Sequence, residues 1–246
     1  MKEFPLSIAP LARPTFLLGV LFLGSGITAT PAAPQLDAQD KKVTERLTWL
    51  LNKRVRKPNG DKVSIVVVPT ARASEGYFSE IRMSGAPAQL KKKLRVSEFT
   101  LKATNVHLHV PSLWDGNKVK TFKSNTKLRA VISEIDFTNM LSKGKHTQAM
   151  GLKVKFLSNN TMRVSGNLNY ALLSGPVEGV GKLRMASGHN VYLDILSLKL
   201  RGVEVPQFVK NQFSSRINPV INYGDLPFNP PFKGVRVVGN KAILTT

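Results

Sequence analysis

His107 and His109 stand two residues apart in a segment of alternating polarity, which points both imidazoles to one face and offers half of a metal site. The other half is missing. The chain has four histidines, no cysteine and no acidic residue beside this pair, so exposed strand histidines are expected and no metal is. Gly175-Pro-Val-Glu-Gly-Val-Gly-Lys182 has the glycines and lysine of a phosphate loop in the wrong places. Position 176 would have to be Gly and is Pro; position 183 would have to be Ser or Thr and is Leu. No Gly-x-Ser-x-Gly elbow, paired-carboxylate motif or His-based triad is present, so no catalytic residue and no cofactor is expected. Binding is the better reading. The residues suited to it are cations in three groups: Lys53, Arg54, Arg56 and Lys57; Lys91, Lys92, Lys93 and Arg95; and Lys118, Lys120, Lys123, Lys127 and Arg129.

The whole composition leans the same way. Thirty-six Lys and Arg oppose fifteen Asp and Glu, a formal charge of +21. Such an excess draws a protein to polyanions. Which polyanion depends on the compartment, and the first residues speak to that. Phe16 to Ala29 is an apolar run of about 14 residues, short of the roughly 20 that span a bilayer as a helix. Lys2 and Arg13 precede it and Thr30-Pro-Ala-Ala-Pro34 follows, the order of a secretory signal peptide cleaved after Ala29 or Ala32; an uncleaved anchor is the alternative. Residues 1–32 are therefore expected to be a leader and 33–246 a single binding domain. An exported or periplasmic protein meets phospholipid head groups and wall polymers before it meets nucleic acid. Aromatics that would stack bases make up only 7% of the chain, which also disfavours nucleic acid. Near an anionic bilayer each cation contributes roughly 1 kcal/mol, so a cluster of five would contribute about 5.

These side chains must be held by elements, and the apolar spacing predicts which. Val43, Leu47, Leu50, Leu51 and Val55 share one helical face, ended by Pro58-Asn-Gly-Asp61. From Ser64 the period becomes two. Val96 to Val110 reads as a long strand whose apolar parity switches near Thr104-Asn105, the sign of a bulge. Lys118 to Val131 reads as its hairpin partner across Trp114-Asp-Gly-Asn117. Ser133 with Asp136 resembles a capping box, Ile132 and Phe137 form a hydrophobic staple, and Lys143-Gly144 ends that short helix. Two hairpins follow, turning at Asn159-Asn160 and Ser187-Gly-His-Asn190. A helix from Pro206 carries Val209, Phe213 and Ile217 in register until Pro219 stops it, and a last hairpin turns at Gly239-Asn240.

From about Tyr77 to its end the chain resembles the LmeA-like phospholipid-binding family. Val96-x-x-Phe-x-Leu-x-Ala-x-Asn-Val106, Leu128-Arg-Ala-Val-Ile-Ser-Glu-Ile-Asp-Phe137, Val164-x-Gly-x-Leu168 and Ile217-Asn-Pro-Val-Ile221 carry the resemblance. The ending with Asp225-Leu-Pro-Phe228, Gly234-Val-x-Val237 and Gly239 is its most recognisable part. The resemblance implies an exported or membrane-anchored envelope protein that binds phospholipid, phosphoinositides in particular, and it carries over no catalytic residue. It implies a fold like the tubular lipid-binding modules. The fold expected is thus α+β, a highly curved antiparallel sheet wrapping two or three helices around an apolar trough. Phe99, Leu101, Val131, Phe137, Met140, Phe156, Phe208, Phe213 and Ile217 are the candidate lining, each with ordinary core packing as its alternative. The expected partner is anionic phospholipid or a membrane surface, with anionic cell-wall polymer gripped by the basic face as the runner-up.

Overall fold

The computed structural model describes residues 36–91, 94–143, 150–170, 173–186, 189–224, 226–228 and 230–246. The leader expected over residues 1–32, Lys92 and Lys93, Gly144, the turn residues 187–188 and Asp225 lie outside the described residues.

The chain opens with α1 (Ala38–Arg54), started by the Asp37 carboxylate, which accepts from the Asp40 backbone N–H at 2.6 Å. Its Val43, Leu47, Leu50 and Leu51 are buried, and Lys53 and Arg54 complement the dipole of the last turn. Strands β1 (Ser64–Pro69) and β2 (Tyr77–Gly85) follow, separated by one 3-10 turn at Ala73–Glu75. A small hairpin, β3 (Ala88–Lys91) with β4 (Leu94–Val96), leads into β5 (Glu98–Leu108). After α2 (Pro111–Asp115) come β6 (Thr121–Ser133) and α3 (Glu134–Ser142). Strands β7 (Lys153–Phe156), β8 (Thr161–Tyr170), β9 (Leu173–Ala186) and β10 (Asn190–Leu200) make a meander. The short β11 (Val203–Glu204), α4 (Gln207–Ile217), β12 (Ile221–Asn222), β13 (Gly234–Val238) and β14 (Lys241–Thr245) complete the chain.

The result is α+β and antiparallel, with four α-helices among the described residues and strands that curl strongly into a half-barrel. The strands divide into a first sheet of order β1-β2-β5-β6-β14-β13 and a second of order β11-β10-β9-β8-β7, with β12 also on β10. α1 packs on β1, and α4 packs on β10. α3 lies between β6 and the free edge of β7, and closes that edge with side chains: Val154 N–H donates to Thr138 Oγ1 at 3.0 Å and Phe156 N–H to a Glu134 carboxylate oxygen at 2.7 Å. An edge satisfied this way offers no template to another chain.

Local chemistry accounts for most of these elements. The expected bulge is present: the β5–β6 register shifts between Thr104 and His107, and Asn105 takes φ +50°. Asn159 and Asn160 both take positive φ at the turn before β8, as a tight hairpin requires. The Ser133 hydroxyl accepts from the Asp136 N–H at 3.1 Å, and Ile132 and Phe137 are fully buried as a staple.

One expectation fails. Trp114–Asn117 is not a hairpin turn, and the partner strand begins at Thr121 rather than Lys118. Pro111 has its φ preset for the first position of a helix, so a helical turn forms before Asp-Gly is reached. The Ser112 hydroxyl then bridges His109 O (2.7 Å) and Lys118 O (3.0 Å), which holds the connection as a wider loop. Strand β2 and the β3–β4 hairpin have no counterpart in the sequence reading, where Lys91 to Arg95 figured only as charge.

Candidate functional site

α4 is unlike the other long helix. Its first residue follows Pro206, with no side chain capping the N-terminus, and not one of its residues is buried. Phe208 is 65% exposed, while Phe213 and Ile217 pack partly against the core. The helix is tied down at its two ends. Near the start the Lys210 ammonium meets the Glu204 carboxylate at 2.5 Å and holds it below the usual carboxylate range. At the end the Asn218 side chain donates to Leu193 O at 3.0 Å and accepts from Leu193 N–H at 2.8 Å, closing the edge of β10.

Between these ties, helix and sheet enclose an apolar cleft. Leu152, Val164, Val177, Leu193, Ile195 and Leu198 form its walls, Gly179 and Gly181 its floor, and Phe213 its cover. The glycines shape it: a Cβ on Gly181 would stand 2.6 Å from Leu193 Cδ1, and one on Gly179 would stand 3.1 Å from Leu198 Cδ1. The leucines therefore lie down on bare backbone, the close approach for which a strand glycine is used. Free volume inside is about 20 Å³, room for about one water and far short of an acyl chain. Counting the open mouth, the depression measures about 330 Å³, the low end of ligand-sized pockets.

Of the nine apolar residues singled out in the sequence, Phe213 lines this cleft. Phe99, Leu101, Val131, Phe137 and Phe156 are buried, with the Phe137 and Phe156 rings edge-to-face at 5.5 Å. Met140 and Ile217 pack against the core from its margin, and Phe208 faces solvent. Sequence reasoning missed the floor. Its signal was the run Gly175, Gly179, Gly181 within a strand, where the sequence reading tested a phosphate loop and, on its failed spacing, settled on an ordinary turn and strand.

The cations also sort by place. Lys53 and Arg46 lie over the Trp49 ring at 3.9 and 4.5 Å. Arg56 pairs its backbone with Gln89 and Lys62, and Lys57 is exposed beyond α1. Arg95 pairs with Asp136 at 3.4 Å and Arg129 with Glu98 at 2.6 Å. Lys91 lies on β3. Arg54, Lys118, Lys120 and Lys123 converge instead on one open groove, which continues to Lys127. The two histidines join an aromatic ladder: His107 stacks on Tyr77 with ring centroids 4.2 Å apart, and Phe122 sits 5.0 Å from His107 and 5.5 Å from His109. No group of three or more metal-binding side chains occurs among the described residues, and no helix among them is long and apolar enough to cross a membrane.

A family model described as LmeA-like phospholipid-binding matches residues 40–246. No curated protein and no solved structure matches the chain.

Proposed function

We propose that this chain, which belongs to the LmeA-like phospholipid-binding family, binds phospholipid as a carrier and not as a catalyst, taking acyl chain into the cleft between its second sheet and α4. The observation that carries this reading is the cleft itself: ten lining residues, all apolar or glycine, under a helix that buries none of its own. As it stands the cleft is too narrow for an acyl chain, so α4 must lift for lipid to enter. Lifting exposes Phe213 and Ile217, which are only partly buried, and loosens one ion pair and the Asn218 bridge. Each methylene taken out of water returns about 0.8 kcal/mol, so a handful offsets that loss. Elements with little buried surface are also those that open most readily.

The lipid is proposed to be anionic and the protein to act outside the cytoplasm, in the cell envelope. A chain of +21 gains roughly 1 kcal/mol per cation near an anionic surface, an attraction screened beyond about 8 Å at physiological ionic strength. On this reading the mature N-terminus falls between Thr30 and Gln35; sequencing intact Met1 from a cytoplasmic fraction would remove the export half of the proposal.

The direct test is native mass spectrometry of the purified protein, before and after incubation with vesicles of phosphatidylcholine containing phosphatidylinositol. Adducts of one phospholipid mass, enriched in the anionic species and depleted in Phe213→Asn, are expected. A delipidated protein that takes up neither lipid would contradict it.

A further inference from the structure

The cations along β6 form a second site, separate from the cleft, with which they share no lining residue. β14 pairs with β6 only from Arg129 to Ser133, and the last residue closes Leu128 through Thr246 Oγ1 (2.9 Å) and the Thr246 N–H (3.2 Å). On that side, Thr121 to Lys127 have no strand partner among the described residues. The facing wall is Leu226-Pro-Phe228 and Pro230-Pro231. Two open depressions, of about 780 and 550 Å³, lie along this edge and merge at Ser124, Phe228 and Pro231.

Seven cations line them: Arg54 from α1, Lys102 from β5, Lys118 and Lys120 from the loop, Lys123 and Lys127 from β6, and Lys233 before β13. Lys102 is paired with Glu80, the other six have no ion-pair partner among the described residues, and no Asp or Glu among the described residues lines either depression. The carboxylates of the two sheets are engaged elsewhere, Glu80 with Arg82 and Lys102, Glu98 with Arg129, Glu178 with Arg163 and Asp194 with Arg184. One or two lysines suffice to guard a strand edge against another strand. Six, drawn from four parts of the chain and without counter-charge among the described residues, repel one another and exceed that need. The Thr121 hydroxyl, on the β6 side of the groove, is buried with no hydrogen-bond partner among the described residues.

We infer that this groove binds a linear polyanion carrying repeated phosphate groups, lying along the open edge of β6. Length decides for a chain over a single phosphate. Thr121 to Lys127 is six residue steps, about 20 Å of strand. One phosphate reaches two or three of the cations; an extended chain reaches all six. A flat membrane is the poorer occupant, because the charges sit between two walls.

The test titrates the purified protein with short-chain linear polyphosphate at several salt concentrations, with inorganic phosphate as the monomeric comparison. Six neutralised contacts predict a slope of log K on log salt of about −4, while inorganic phosphate should bind at least about a hundredfold more weakly. The variant Lys118→Gln, Lys120→Gln, Lys123→Gln should lose at least about tenfold in affinity and halve the slope to about −2. Removing the same charge from the second sheet, as Lys153→Gln, Lys155→Gln, Lys182→Gln, should cost less than about threefold, and unchanged thermal midpoints establish that both variants fold. Phe213→Asn should leave polyphosphate binding intact, which keeps this site distinguishable from the cleft. Equal losses in the two triple variants would overturn the groove in favour of diffuse charge. So would a wild-type protein that ignores polyphosphate yet loses binding to phosphatidylinositol vesicles when the groove lysines are replaced.

Discussion

α1 on the first sheet and α4 on the second are both amphipathic helices laid on curled antiparallel strands, and they meet those strands in opposite ways. α1 inserts Val43, Leu47, Leu50 and Leu51 into a continuous core, and each is at most 2% exposed. α4 inserts nothing fully, and the strands beneath it answer with glycines at 179 and 181 where a core would place side chains. A polypeptide that fills one half of a curved sheet and leaves the other half half-filled has folding stability in the first and room for a ligand in the second. The comparison also explains why apolar residues are such poor pointers to a site. Phe99 and Phe213 read alike in sequence, yet one is core and the other covers a cleft.

The largest expected effect breaks the filled half. Leu47→Ala should cost about 2–5 kcal/mol in urea unfolding, through lost transfer energy and a cavity that α1 cannot collapse. Phe213→Ala should cost only about 1–2 kcal/mol, since its ring is partly exposed already, while lipid retention falls more than stability does. Equal costs at the two positions would erase the distinction between the halves.

Filling the floor sharpens the same point. Gly181→Ala brings a methyl to 2.6 Å from Leu193 Cδ1, and that side chain must leave the cleft floor. Overpacking of this kind costs about 1–3 kcal/mol and should narrow the range of lipids retained, read by native mass spectrometry.

A smaller effect of opposite sign is expected at Tyr223, in the segment that leaves the second sheet for the open edge of β6. Its ring packs on Phe232 at 4.3 Å, its hydroxyl is buried with no hydrogen-bond partner among the described residues, and burial raises its pKa well above the usual tyrosine value. Tyr223→Phe removes an unsatisfied group and should stabilise the protein by about 1 kcal/mol, measured by thermal unfolding.

The smallest effect tests how α1 is seated. The Ser74 N–H donates to the Asp40 carboxylate at 2.6 Å and lowers its pKa below the ordinary 3.8. A depressed carboxylate pKa lends stability at pH values above the unfolded-state value, and that stability disappears as pH falls through the folded-state value. Asp40→Asn should therefore lower the thermal midpoint at neutral pH, with the difference from the unmodified protein shrinking below about pH 4.

Much of the fold was legible because local chemistry and tertiary structure agree. The Ser133 cap, the Ile132–Phe137 staple, the Asn159-Asn160 turn and the parity switch at Asn105 each have a cause within a few residues, and each occurs as read. The turn at Trp114–Asn117 was misread because Pro111, earlier in the chain, starts a helix first. β2 was missed because its buried positions, Phe78, Ile81 and Met83, break strict alternation. The cleft was legible only at Phe213, since its walls come from β8, β9, β10 and Leu152 just before β7, and its floor is an absence of side chains. The groove was half legible: the lysines were plain, but Arg54 and Lys233 reach it only through the tertiary fold.

Hydrogen exchange read by mass spectrometry, with and without phosphatidylinositol, tests the contrast between the halves in one experiment. α1 amides should exchange near the rate set by global unfolding, and α4 amides orders of magnitude faster, because little buried surface holds that helix down. Added lipid should slow exchange in α4 and in β9 and β10 beneath it, leaving α1 unchanged. Equal protection of the two helices, with no response to lipid in either, would contradict the account.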